Sequence, residues 1–180
     1  GHTPCHLDNG DGFFAKPESA IGTLISRLPI GSEVHLMVTD PRDWQESLLR
    51  WKPKTVVVHV ESEGVAAMIG WCRSKKFRVH LAIKTTTPVT KLAQYSKKIQ
   101  GIHVMLGPIG KYGSALQPKM LSVVKKLHQH YPKLPLSVDV GITPTTWKQA
   151  QIAGATSAAV GAYIFRSQKP QQRSMQIAKA

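Results

Sequence analysis

"EVHLMVTDPRDWQESLLRW", residues 33–51, reads as one strand running into one helix. "EVHLMV" is short, β-rich and nearly continuously apolar, as a strand covered on both faces should be. Asp40-Pro41 then supplies a capping residue with proline at the first helical position, and "PRDWQESLLRW" has helical character. The same grammar recurs along the chain. Strands are expected at "PCHLD" (4–8), "EVHLMV" (33–38), "TVVVHV" (55–60), "RVHLAI" (78–83), "GIHVM" (101–105), "LPLSVD" (134–139) and "TSAAVG" (156–161). Thr87-Pro88 and Thr143-Pro144 repeat the helix-start signal, with Gln117-Pro118 a weaker version; "PVTKLAQYSKK", "PKMLSVVKKLHQHY" and "PTTWKQAQIAGA" follow them. Strand, loop and helix recurring about every 20 to 36 residues mean parallel βαβ units. Seven such strands fit a (β/α)8 barrel lacking one unit, or an open doubly wound sheet. No GxGxxG loop opens the first helix, which weakens the dinucleotide-binding version of the open sheet. The barrel is the preferred reading.

The chain of 180 residues, 42% hydrophobic, can bury one sizeable core and is expected to form a single domain over residues 1–180. No apolar run approaches the roughly 18 to 20 residues that a membrane-spanning helix needs. "GHTPCHLDNGDG" has neither the basic head nor the apolar stretch of a signal peptide. Cys5 and Cys72 form no metal-type spacing and no disulfide framework, so a reducing cytoplasm is the expected location. The sequence does not begin with Met, and further residues are expected upstream. Charge is uneven: residues 1–63 carry 9 acids and 6 Lys/Arg, residues 64–180 carry 1 and 18. Such a field attracts anions, phosphorylated metabolites among them. Nucleic acid is a weaker partner hypothesis, because no zinc finger, RNP-like aromatic motif or Arg/Gly-rich tail accompanies the charge.

Five of the expected strands share a core: Cys5-His6-Leu7, Val34-His35-Leu36, Val58-His59-Val60, Val79-His80-Leu81 and Ile102-His103-Val104. In a barrel alternate strand residues point inward, and sites gather where strands end at the C-terminal face. Asp8 and Asp139 are read as the last residues of their strands, and His35 as nearly so. Asp139 is the only acid between Gly64 and Ala180. His6 and Asp8, two residues apart, project to one side. Two imidazoles and two carboxylates at one barrel mouth suit a divalent metal such as Zn, Mn, Fe or Co. Singly, each His reads as a core residue and each Asp as a helix cap; the set of four reads as a site.

These segments resemble the ribulose-phosphate 3-epimerase family. "HLDNGDGFF" is similar to its H-x-D-x-M-D-G-x-F pattern, and "EVHLMVTDPRDW" to its His-Met strand followed by a Pro-x-x-W helix. "VVVHVES", "HLAIKTTTPV", "HVMLGP", "LSVDVGITPTTW" and "AGATSAAVGAYIFRS" follow in the family's order, so the likeness covers about residues 4–168. The resemblance implies a TIM barrel interconverting D-ribulose 5-phosphate and D-xylulose 5-phosphate. It implies one divalent metal ion on His6, Asp8, His35 and Asp139, with Asp8 and Asp139 also the acid/base pair. Two carboxylates are needed because inverting a carbinol carbon beside a ketone takes a proton from one face and returns one to the other. The basic surroundings favour the ionised form of Asp139. Met37 and Met105 match two of three methionines lining the family's site, with core filling as the alternative. His59 and Glu61 resemble a family H-x-E and are either a decoy ligand pair or support behind the ligands. A homo-oligomer is implied as well.

The sequence departs from the family at several places. The third methionine is Gly10, and the phosphate loop P-G-F-G-G-Q reads "GPIGKYGS" (107–114), keeping Gly110, Gly113 and Ser114 as candidate contacts. The Gly-Gly after the sixth-strand Asp is Val140-Gly141, and the late Gly-Ser is Gly161-Ala162. Glycine amides cradle phosphate because no Cβ blocks the approach. Lys111 is a candidate compensating charge. The family's first strand and helix, with a substrate-binding Ser, have no counterpart in the sequence. A sister reaction on another sugar phosphate such as D-allulose 6-phosphate, and a non-catalytic anion-binding barrel, are the alternatives. The D-x-K-x-x-D arrangement of decarboxylase and hexulose-phosphate synthase relatives is missing from "LDNGDG", and a Schiff base on Lys84 has little support.

Overall fold

Period-two alternation sorts the first sheet into an apolar and a polar face. The computed structural model describes residues 5–16 and 25–180, so Pro4, the first residue of the expected first strand, lies outside them. The described residues fall into two compact units, 5–16 and 25–82 with 90–100, and 83–89 with 101–180. In the first, strands β1 (His6–Gly10), β2 (Glu33–Met37), β3 (Thr55–His59) and β4 (Arg78–Ile83) lie side by side and parallel. Val34, Leu36, Val56, Val58, Val79 and Leu81 occupy one face and are fully buried, each burial contributing roughly 1.5–3 kcal/mol. The opposite face carries the rows His6, Glu33, Thr55, Arg78 and Asp8, His35, Val57, His80. Asn9 is the exception on the apolar face: it is buried, and its amide has no hydrogen-bond partner among the described residues.

Asp40 starts the helical segment after β2 by accepting the Arg42 backbone N–H at 3.0 Å. A 3-10 turn, Pro41–Trp44, leads into α1 (Gln45–Trp51), which buries Leu48 and Trp51. α2 (Val65–Ser74) packs against β3 and buries Val65, Met68, Ile69 and Cys72, the i, i+3, i+4, i+7 stripe of an amphipathic helix. Burial also pushes the Cys72 thiol up to about 12, while Cys5 is exposed; both are free thiols.

The second unit contains β5 (Gly101–Met105), β6 (Leu136–Asp139) and β7 (Ser157–Ala158), again parallel. α3 (Lys119–His130) buries Met120, Val124 and Leu127 at i, i+4, i+7. α4 (Pro144–Ile152) opens with a capping box between Thr143 and Thr146. α5 (Ala162–Phe165) and α6 (Pro170–Ala178) pack on one another, and α6 also touches α4. Seven parallel strands alternating with helices, among the described residues, give the TIM-barrel fold class one strand–helix unit short of eight. No helix among those residues is long and apolar enough to cross a membrane.

Several expectations shift. β4 and β5 have the expected bounds, but β1 runs on to Gly10, so Asp8 lies mid-strand. The reason is pairing: Asn9 faces Leu36 and Gly10 faces Met37 in the ladder, which outweighs the turn character of Asn-Gly. β7 shrinks to two residues. The segment after Thr87-Pro88 is a 3-10 helix, Val89–Tyr95, opened by β-branched Val89 and Thr90 rather than good α-helix formers. The histidines of neighbouring strands are not level either. Glu33 lies opposite His6, and Val57 opposite His35. The offset is two residues, which preserves the face.

Candidate metal and acid-base centre

In the first unit the polar face is knitted into one chain of contacts. Glu33 Oε1 lies 2.7 Å from His6 Nδ1, and His6 Nε2 lies 3.1 Å from Asp8 Oδ1. The same Asp8 oxygen is 3.0 Å from His35 Nδ1. His35 Nε2 is 2.9 Å from His59 Nε2, and His59 Nδ1 is 3.0 Å from Glu61 Oε2. His35 and His59 are fully buried and stack with centroids 5.0 Å apart; the Asp8 side chain is 52% exposed. Burial alone would raise the Asp8 carboxyl, but hydrogen bonding to His35 and His6, with the charge of His6, outweighs it and holds it well below the usual carboxylate range. Burial lowers His35, keeping it neutral, against the opposing pull of Asp8.

His6, Asp8 and His35 thus form a His/Asp group of the kind that holds a divalent ion: two imidazole nitrogens converge on one carboxylate oxygen. The donor set fits. The loop beyond is anchored by Asp11, whose carboxylate accepts N–H groups from Phe13 and Phe14 at 2.9 and 2.7 Å and from Thr39 at 2.6 Å. Burial opposes the shift, yet those N–H donors lower the Asp11 carboxyl. Met37 lies two residues beyond His35 on the same face and is buried.

Asp139 ends β6 in the second unit, opposite Met105, which is buried. Its Oδ1 accepts the Val140 N–H at 2.6 Å, and its Oδ2 lies 3.8 Å from His103 Nε2. His103 Nδ1 is 2.6 Å from Ser137 Oγ, which fixes the ring beside the carboxylate. Around this strand end lie the loops that depart from the family pattern. Val140 has φ +78° and Gly141 φ +73°, so a β-branched residue stands in the left-handed region. Gly141 also packs against the backbone at Leu116, where a Cβ has no room. Gly110 (φ +69°) and Gly113 (φ +78°) bracket the turn that carries Lys111, which is exposed. The Lys111 carbonyl accepts both the backbone N–H and the hydroxyl of Ser114, at 3.2 and 2.7 Å. A Cβ on Gly161 would lie 3.3 Å from the Tyr112 ring, which brings Gly161-Ala162 next to this turn.

Sequence reasoning missed three features here. Arg166 Nη2 donates to the Tyr112 carbonyl at 3.2 Å and the guanidinium lies over the Tyr112 ring, adding a second cation beside Lys111. Glu33 reads as a strand boundary, and only the ladder sets it opposite His6. Asp11 carried a signal, Asp-Gly before aromatic residues, that marks a turn but not its three N–H partners.

Parallel strand–helix units, with imidazoles and carboxylates on one strand face of the first unit and at the end of β6, define the TIM-barrel class, and the relatives make it an isomerase of the epimerase type, acting on carbohydrates. The chain belongs to the Ribulose-phosphate 3 epimerase family, which it matches over residues 5–165. It is 29% identical over 175 residues to the cytoplasmic isoform of ribulose-phosphate 3-epimerase from Oryza sativa subsp. japonica, covering 92% of this chain and 76% of the relative. The enzyme of that name from Schizosaccharomyces pombe is 30% identical over 141 residues, covering 78% of this chain; the match spans only 62% of that relative's length. Among solved structures, 3-hexulose-6-phosphate synthase from Salmonella typhimurium has the same fold, with a TM-score of 0.64 at 15% identity over 82% of this chain and 72% of the other.

Proposed function

We propose that the protein interconverts D-ribulose 5-phosphate and D-xylulose 5-phosphate by proton transfer at C3. The observation that carries this is the Asp8 carboxylate, held ionised between His6 and His35 at 3.1 and 3.0 Å on the strand that bears the family's first motif. In this reading His6, Asp8, His35 and Asp139 hold one divalent ion: Zn, Fe, Mn or Co. Its charge, when bound, favours negative charge on the substrate's ketone and hydroxyl oxygens. Asp8 and Asp139 serve opposite faces of C3. One takes the C3 proton, leaving an enediolate; the other delivers a proton to the opposite face, and the pair exchange roles in the reverse direction. Met37 and Met105 line the reacting carbon, and Gly110, Lys111, Gly113, Ser114, Gly141, Gly161 and Ala162 grip the phosphate. A homo-oligomer belongs to this reading, and the rice relative's isoform name supports a cytoplasmic location.

The test is NMR of D-ribulose 5-phosphate in D2O with metal-loaded protein, following deuterium entry at C3. Entry with conversion to the xylulose epimer is the expected result. The altered phosphate turn favours a second substrate, so D-allulose 6-phosphate is run in parallel. Exchange with that sugar alone reassigns the substrate. With neither sugar and bound metal confirmed, the epimerase reading fails.

A further inference from the structure

We propose that Glu33 directly, and Glu61 through His59, are positioning residues that set which nitrogen of His6 and His35 is offered to a metal. The proposal rests on the metal reading above and deepens it. A carboxylate only accepts hydrogen bonds, so each of these acids dictates the proton on the ring beside it. Glu33 Oε1 at 2.7 Å from His6 Nδ1 keeps the proton there and leaves His6 Nε2 with its lone pair, on the Asp8 side. Glu61 Oε2 at 3.0 Å from His59 Nδ1 keeps that proton on Nδ1, so a neutral His59 can only accept at Nε2. The atom 2.9 Å away is His35 Nε2, which must then be the donor. His35 Nδ1 is thereby left bare, 3.0 Å from Asp8 Oδ1.

Both relays end at the same place. They present two lone pairs toward one carboxylate oxygen, an arrangement that repels itself until a cation enters. Burial keeps the longer relay dry: the His35 and His59 side chains are fully buried and Glu61 is 16% exposed, so water does not readily substitute for a lost partner. Outer partners of this kind typically account for about 10- to 100-fold in metal affinity. His59 and Glu61 are therefore support behind the ligands, and not a decoy pair.

The test uses the full chain, 15N-labelled at histidine and loaded with Zn, with ring tautomers read from two-bond 1H–15N correlations. His59 protonated at Nδ1 and bare at Nε2 is the expected result; His59 protonated at Nε2 overturns the proposal. Co(II) affinity, read from its visible absorption, is then compared among Glu61→Gln, Glu33→Gln and a control, Glu46→Gln, on the surface of α1. The first two should weaken Co(II) by about 10- to 100-fold, with the control unchanged. Unchanged affinity in both folded variants overturns the proposal, and should a variant not fold, the wild-type tautomer decides. Wild-type protein that binds neither Zn nor Co(II) overturns the metal reading and the relays with it, whereas binding with the opposite His59 tautomer overturns the relays alone.

Discussion

The polar face of the first unit and the loops of the second make an instructive pair. In the first unit His6, Asp8, His35 and His59 are joined end to end, with Glu33 and Glu61 closing the row. In the second, Asp139 ends β6, but the backbone that follows it carries a valine where the resemblance implies glycine, and its φ is +78°. A network of mutually oriented groups tolerates little change, because each lost partner leaves a buried polar atom unsatisfied. The phosphate grip proposed for the second unit is of another kind: amides and scattered cations, with Lys111 exposed and Arg166 close by at Tyr112, can be rebuilt from different pieces.

The sharpest way to break the comparison is at the one acid of the second unit. Asp139→Asn should cut C3 exchange by about 10²- to 10⁴-fold in the deuterium experiment, with the melting temperature little changed. If exchange persists, the proton chemistry belongs to the first unit alone. The next effect is in pH. His35 is neutral in the fold and protonatable when unfolded, so below its ordinary value near 6.5 the unfolded chain binds the extra proton. Stability of the metal-free protein should therefore be full above about pH 7 and fall by up to roughly 1.4 kcal/mol per pH unit below pH 6.5. Asp8, also lowered, adds loss only as pH falls below its own ordinary value of 3.8. Thermal melts between pH 5 and 8 read this directly, and His35→Gln should flatten the slope; a flat wild-type profile counts against a dry, neutral His35.

Smaller effects sharpen the second unit. Thr143→Ala removes the oxygen that accepts the Thr146 N–H at 3.2 Å and should cost about 1 kcal/mol in denaturant unfolding. Val140→Gly runs the other way. Relief of a left-handed β-branched residue, about 1–3 kcal/mol, exceeds the extra entropy of glycine, about 0.5–1 kcal/mol. A net gain of about 1 kcal/mol is expected, together with a lower KM for the sugar phosphate at unchanged kcat. A destabilised variant would mean that the Val140 side chain contributes more packing than its backbone loses.

Much of this was legible in the sequence, for physical reasons that can be named. β4 and β5 were readable to the residue because apolar runs begin abruptly after Phe77-Arg78 and Gly101. That His6, Asp8 and His35 share one strand face, and that Asp139 is the last residue of its strand, was legible through spacing and strand context, although the end of β1 was not. That end depends on a neighbouring strand, since Asn9 and Gly10 extend only because Leu36 and Met37 offer partners. The role of Glu33 was invisible for the same reason: it depends on register with a strand 27 residues away. The left-handed Val140 could not be read either, because in sequence it continues the strand-like alternation of Leu136, Val138 and Val140.

That valine also makes the history of a substitution matter. A Cβ on Gly107 would sit 2.5 Å from Val140 Cγ1, with the Ala115 carbonyl at 3.0 Å as its next neighbour. Gly107→Ala thus forces Val140 to shift while that valine remains, and needs only a few tenths of an ångström once Val140→Gly has come first. For this pair the order of substitution matters, the glycine at 140 easing the step at 107.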